Sequence, residues 1–447
     1  MTPYSLGAKL YLCIQNQNDM RHPIQVLLFC LVAASPAWSQ VSELEKQLYG
    51  LPDLIFKAID TPEGYEAAYE LHIRQPVDHE APERGYFYQR AYLTHRSFDA
   101  PVVMATEGYI GPSNRMYELT GYLKANQIDV EHRYFGTSVP DSLDYRYLNL
   151  KQVAGDLHRI RTLLGQLYKE PWVTTGISKG GQTTIFYRYF YPNDVAASVP
   201  YVAPLNLELT DDRIYGFLDT VGTDACRSAI RDVQMRMLQE REEVLPRLRW
   251  YAKGAKLTFD YLGVGKAYEY AVLEYPFSFW QLGNDCAEIP EATAELDTVL
   301  EHFLKVVPLN FYADVSMTAY GSHYWQAGDE MGYYGYRTEP FRELLQEIRE
   351  EEPSAVFMPG KATPGFEPGF VKDVFEWTQR GADQMIYIYG ATDTWTATGV
   401  PPSDDVEALW FIMPGKDHGS ARIRNLPEEQ REQLLQTLNE WMEASKK

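Results

Sequence analysis

Cysteine is scarce: four in 447 residues, of which Cys13 and Cys30 fall near the start. No Cys-x-x-Cys pair and no His-Glu-x-x-His run occurs, so the ligand spacings of structural and catalytic zinc are missing and neither metal nor cofactor is expected. Basic charge is in deficit as well. Lys and Arg number 41 against 62 Asp and Glu, a net charge of −21; nucleic acid or an anionic membrane surface would need a basic footprint instead. The most apolar run, Ile24 to Ala34, is too short to cross a bilayer. Internal repeats and low-complexity tracts are absent. Histidine is rare too, nine in all, which makes the position of each one informative.

What is present is ample material for a core, 45% hydrophobic and 14% aromatic, well outside disordered composition. The Ile24–Ala34 run is followed by Ala37-Trp38-Ser39, a small-x-small cleavage pattern, so residues 1–39 read as a signal peptide. A true start at Met20, with Arg21 as the charged end, gives a compact leader cut near Ser39. The protein is expected to be exported, periplasmic or extracellular, without stable membrane insertion once the leader is removed. Only Cys226 and Cys286 then remain; they are either a disulfide or two separate buried thiols.

Strand-like and helix-like runs alternate from about Tyr86. YFYQRAYLTHR, APVVMATEG, QIDVEHRYFG, PWVTTGI and AASVPYVAP read as strands, the second of them a nearly continuous apolar run of the kind a buried parallel strand shows. Leu148 to Tyr168 carries helical periodicity, and TTIFYRYFY is helix-like. From 205 to 382 the pattern is helical and strands are scarce. QMIYIYG, EALWFIMPG and a closing amphipathic helix then restore the rhythm. The expectation is a doubly wound, mostly parallel α/β sheet in two parts, 40–204 and 383–447, with 205–382 as a helical cap inserted between them.

One stretch, TTGISKGGQTT, sets Ser178 between Gly176 and Gly180, with Gly181 next, at a strand-to-helix junction. Alone, Gly-x-Ser-x-Gly is a weak pattern. In this setting it reads as a nucleophile elbow, because a serine held on so sharp a turn leaves no room for side chains two positions either side. A serine needs a histidine to take its proton and a carboxylate to fix that histidine. Asp393 follows the run QMIYIYG, and His418, the only histidine after it, follows EALWFIMPG. Order and strand-end placement are those of α/β-hydrolases. Backbone N–H groups of Lys179 and Tyr109 are the expected oxyanion donors. Glu131, His132 and Arg133 are expected to form an internal ion-pair network.

EHRYFGTSVP (131–140), GISKGGQT, YGATDTW and GKDHGS together resemble the bacterial secreted serine tripeptidyl-aminopeptidases, peptidase family thirty-seven. More distantly they are similar to the lysosomal prolyl carboxypeptidase and dipeptidyl peptidase II family. The likeness implies an exported serine exopeptidase that cuts peptides from the amino end, with a proline preference, through Ser178, His418 and Asp393. WQAGDEMGYYGY (325–336) looks like the cap segment of the prolyl carboxypeptidase group, although Gly328 stands where that group has cysteine and Lys179 where it has an aromatic residue. An aminopeptidase must hold a protonated amine with buried carboxylate. The candidates are Glu107, Glu269, Glu274, Asp329 and Glu330, with Glu330 favoured by the likeness. Trp395, with Trp280, Tyr324 and Trp325, could wall a proline-sized pocket. An esterase, or a non-catalytic binding protein of the same fold, are the alternatives.

Overall fold

The computed structural model describes residues 41–349 and 353–446. The expected leader, including Met20 and the cleavage site, lies outside the described residues.

Nine strands form one sheet among the described residues: β1 (Leu54–Ala58), β2 (Ala67–Pro76), β3 (Tyr86–His95), β4 (Val102–Thr106), β5 (Asn126–Val130), β6 (Trp172–Ile177), β7 (Ala197–Tyr201), β8 (Met385–Gly390) and β9 (Ala408–Met413). Their spatial order is β1-β2-β3-β5-β4-β6-β7-β8-β9. The first three pairings are antiparallel, and every pairing from β5 to β9 is parallel. This is the α/β-hydrolase sheet expected from the sequence. β4, β7 and β8 are buried along their whole length, which explains why they are nearly free of charge.

Helices cover both faces. Asn149 caps the helix Leu150–Leu164 by accepting from the Gln152 N–H, and its Leu157, Ile160 and Leu164 pack against Leu71, Leu93 and Met104. On the opposite face, Leu434, Leu438 and Trp441 of the closing helix Glu428–Ala444 pack against Val173, Ile386 and Phe411. The network expected around EHRYFG is present. Arg133, fully buried, makes a two-pronged pair with Asp156 at 2.7 Å per contact. Glu131 pairs with Arg90 and accepts from the Gly111, Thr137 and Ser138 N–H groups.

Between β7 and β8 the chain is helical and has its own core, built from residues such as Ile230, Leu248, Tyr268, Phe303 and Tyr324. Cys226 and Cys286 are joined in a disulfide with Cα atoms 5.5 Å apart, tying the helix Asp224–Gln239 to the turn Cys286–Glu288. The longest helix here, Val264–Gln281, contains Pro276. Proline has no N–H to give the Val272 carbonyl, and Gln234 Nε2 donates to that carbonyl instead, at 2.8 Å.

Candidate active site

Parallel strands end at one edge of a sheet, so β6, β8 and β9 deliver Ser178, Asp393 and His418 to the same rim. Ser178 follows β6 directly and adopts φ 58°, ψ −125°, a conformation that costs a non-glycine residue on the order of 1–3 kcal/mol and persists only where the surroundings enforce it. They do. The Ser178 N–H donates to Tyr201 O at 2.9 Å, and its carbonyl accepts from the Gln182 N–H at 2.9 Å. A Cβ on Gly176 would stand 2.2 Å from Gly180 O, and one on Gly180 would stand 2.4 Å from Thr106 O. Glycine is a steric requirement at both places.

Asp393 is fully buried. One carboxylate oxygen accepts from the Trp395 N–H at 3.1 Å, fixing the turn, and the other lies 2.7 Å from His418 Nδ1. A carboxylate can only accept, so Nδ1 carries the proton and Nε2 is left to take one. The His418 N–H donates to Gln281 O at 3.1 Å, and the Thr394 hydroxyl donates to Phe277 O at 2.9 Å. The end of the helix Val264–Gln281 therefore holds both loops.

A cavity of about 400 Å³ opens beside Ser178. Along that same helix Glu274, Phe277, Ser278 and Gln281 all face it, an i, i+3, i+4, i+7 stripe. Lys179 and Tyr109 line it as well. Among the described residues neither of their backbone N–H groups donates to a protein acceptor, and the Ser178 hydroxyl has no hydrogen-bond partner. The hydroxyl–imidazole contact is thus not made, while the carboxylate–imidazole contact is.

The family model of PS-10 peptidase S37 matches residues 39–446. This chain belongs to that family. It is a serine peptidase. A prolyl tri/tetrapeptidyl aminopeptidase of Streptomyces mobaraensis is 31% identical over 411 residues, covering 90% of this chain and 85% of that protein. The thymus-specific serine protease of Mus musculus is 32% identical over 152 residues, 30% of each chain. Among solved structures, a proline iminopeptidase of Mycobacterium smegmatis is similar at TM-score 0.39 and 13% identity, over 84% of this chain and 99% of that one; nothing about substrate follows from so distant a likeness.

The carboxylates of this peptidase separate cleanly. Glu330, favoured for the substrate amine, does not line the cavity: its carboxylate accepts from the Leu150 N–H at 2.7 Å and caps a helix. Glu107 is occupied by Arg115 and by the Tyr117 hydroxyl, at 2.8 and 2.7 Å. Glu269 pairs with Arg241 and accepts from the N–H groups of Gln346, Glu347 and Ile348. Glu274 alone, among the described residues, brings a carboxylate to the cavity. It accepts from the hydroxyls of Ser278, Tyr334 and Tyr336 at 2.6–2.8 Å. Burial outweighs these three donors and raises its pKa to about 7. Its signal in the sequence was the helical spacing of AYEYAVLEYPFSFWQ, where an acid shares a face with Phe277, Ser278 and Gln281. Trp395 does line the cavity, its ring 5.1 Å from Phe277 and 5.3 Å from Tyr334. Among the described residues no cluster of side chains is set to hold a metal ion, and no helix is long and apolar enough to cross a membrane.

Proposed function

We propose that this peptidase is exported and removes short peptides, two or three residues long, from the amino end of its substrates, with proline favoured at the cleaved bond. Ser178 Oγ attacks the carbonyl carbon and passes its proton to His418 Nε2. Asp393 holds the imidazole and offsets its charge. The N–H groups of Lys179 and Tyr109 receive the oxyanion. The tetrahedral species collapses to an acyl-enzyme as His418 returns the proton to the leaving amine, and water repeats the cycle. The Ser178 hydroxyl and the His418 imidazole come into hydrogen-bonding reach as the substrate seats, since catalytic contacts of this kind tighten in the substrate complex.

The observation that supports the reading is the pairing of Asp393 with His418, whose N–H donates to Gln281 O, Gln281 being a lining residue of the cavity that also holds Ser178 and one buried carboxylate, Glu274. An acyl-transfer centre facing an acid suits a substrate with a free ammonium group, whose charge Glu274 would hold in a dry site. The name of the Streptomyces relative points the same way. Phe277, Tyr334 and Trp395 form an aromatic wall suited to a proline ring. The test is incubation with proline-containing peptides, free or acetylated at the amino end, followed by mass spectrometry of the fragments. Amino-terminal fragments ending in proline, released only from the free peptides, are expected. Release from the carboxyl end, or equal cleavage of the acetylated peptides, would overturn it. A short acyl ester turned over far faster than any peptide amide would favour an esterase.

A further inference from the structure

Behind the proposed oxyanion site sits a lysine with no acidic partner among the described residues. Lys179, the residue after the nucleophile, is 3% exposed. Its Nζ donates to Gly108 O at 2.8 Å and to Gln326 Oε1 at 2.6 Å. The ring centroids of Phe135 and Tyr109 lie 4.8 and 5.2 Å away. His132 and His323 stand nearby, and burial, reinforced by the Lys179 charge, holds both well below the usual imidazole range. Burial likewise holds the Lys179 amine well below the usual range. Charged or neutral, an amine still donates to a carbonyl. Burying so costly a side chain without a counter-charge calls for a reason.

The reason lies in the Gly108–Tyr109 peptide. Gly108 is pressed against the elbow: a Cβ there would stand 2.5 Å from Lys179 Cβ and 2.7 Å from Gly180 N. A trans peptide carries its C=O and N–H on opposite edges, so a donor that grips Gly108 O from behind presents the Tyr109 N–H to the front. That N–H is one of the two proposed oxyanion donors, and the other is the backbone N–H of Lys179 itself. The Tyr109 ring is boxed by Phe135, Tyr320 and His323 at 5.4–5.7 Å. Tyr320, His323 and Gln326 all lie at the helix Gly321–Gln326 or its cap.

We infer that the Lys179 side chain is a positioning residue: by holding the Gly108 carbonyl it sets the Tyr109 N–H beside its own N–H, and through Gln326 it makes that alignment depend on the helical cap. The inference rests on Ser178 being the nucleophile, as proposed above. One residue then serves the oxyanion twice, as a donor through its backbone and as an aligner through its side chain.

The test compares wild type, Lys179→Met and Gln326→Met by three readouts: kcat and KM on a proline-containing peptide amide, the rate at which a diaryl phosphonate labels Ser178, and the affinity of an intact peptide in a Ser178→Ala background. Lys179→Met is expected to lower both kcat and the labelling rate about 100-fold, the scale of a small misplacement at a reacting centre. Intact-peptide affinity should stay within about threefold, since a group acting only on the transition state leaves ground-state binding alone. Gln326→Met keeps the Gly108 contact and should lower the labelling rate by about tenfold; it carries the test where Lys179→Met does not fold. Labelling at the wild-type rate in the folded variants, or an equal loss of labelling and of intact-peptide affinity, would overturn the inference. Wild-type protein that is labelled at Ser178 yet releases no amino-terminal fragment refutes the exopeptidase reading and leaves this one standing.

Discussion

The two walls of the cavity are made from different material. The sheet wall is backbone: a serine at positive φ, glycines whose Cβ atoms would collide, and N–H groups at a helix start. The cap wall is side chain: Glu274, Phe277, Ser278 and Gln281 from one helix face together with Tyr334, joined at its edge by Trp395 from the turn after β8. Backbone geometry is rigid and indifferent to which peptide is bound, which suits bond breaking. Side chains on an inserted helix can be exchanged without moving the sheet, which suits selection. Changes in the first wall should therefore fall on kcat, and changes in the second on KM and on the choice of substrate.

The largest expected effect lies on the sheet wall. Ser178→Ala should cost about 10⁴-fold or more in kcat with peptide binding retained, measured by single-turnover cleavage and by calorimetry. Gly180→Ala forces a Cβ toward the Thr106 carbonyl and should lower kcat about 100-fold by displacing the elbow; a loss expressed only in KM would break the division between the walls. On the cap wall, Glu274→Gln should raise KM about 10- to 100-fold for peptides with a free amino end, the worth of one charge-assisted hydrogen bond, and leave acetylated peptides unaffected. Because burial raises the Glu274 pKa to about 7, the acid is anionic, and able to hold an ammonium, only above that pH. The ratio of wild-type to Glu274→Gln kcat/KM should then rise as pH passes upward through about 7 and flatten below it.

Two smaller effects sharpen the comparison. Replacing Cys226 and Cys286 together by Ser should cost about 4 kcal/mol of stability in the chain-entropy model, read by denaturant unfolding, while kcat stays near wild type. Glu330→Gln should leave KM within about twofold yet change stability in a pH-dependent way. Burial raises the Glu330 pKa from 4.5 to about 7, so its bound proton stabilises the folded state below 4.5, and that contribution is lost as pH climbs to about 7. The variant should gain on wild type across that window, by on the order of 3 kcal/mol; thermal unfolding at pH 5 and pH 8 measures it.

The sheet was legible because buried parallel strands announce themselves as uninterrupted apolar runs. β1 and β2 were not anticipated. β1 is an edge strand with Ile55 and Lys57 exposed, and β2 mixes buried Tyr69, Leu71 and Ile73 with polar neighbours, a period-2 signal that charges dilute. The expected helix from Leu148 to Tyr168 is shorter, Leu150–Leu164, since Asn149 supplies the cap and Gly165 ends it. In the cap, an acid in an aromatic run has no visible partner until the chain folds. Glu269 and Glu274 look alike in sequence, and the partners that silence the first, Arg241 and the 346–348 backbone, lie far off along the chain. Lys179 was read for its N–H alone, because nothing in SKGG shows that its amine turns inward to Gly108.

The most direct check on the account is covalent. Wild-type protein treated with a diaryl phosphonate and digested for mass spectrometry should carry one adduct, on Ser178, and His418→Ala should lose nearly all of it. An adduct on another serine, or equal labelling of the His418→Ala variant, would contradict the site from which everything else is built.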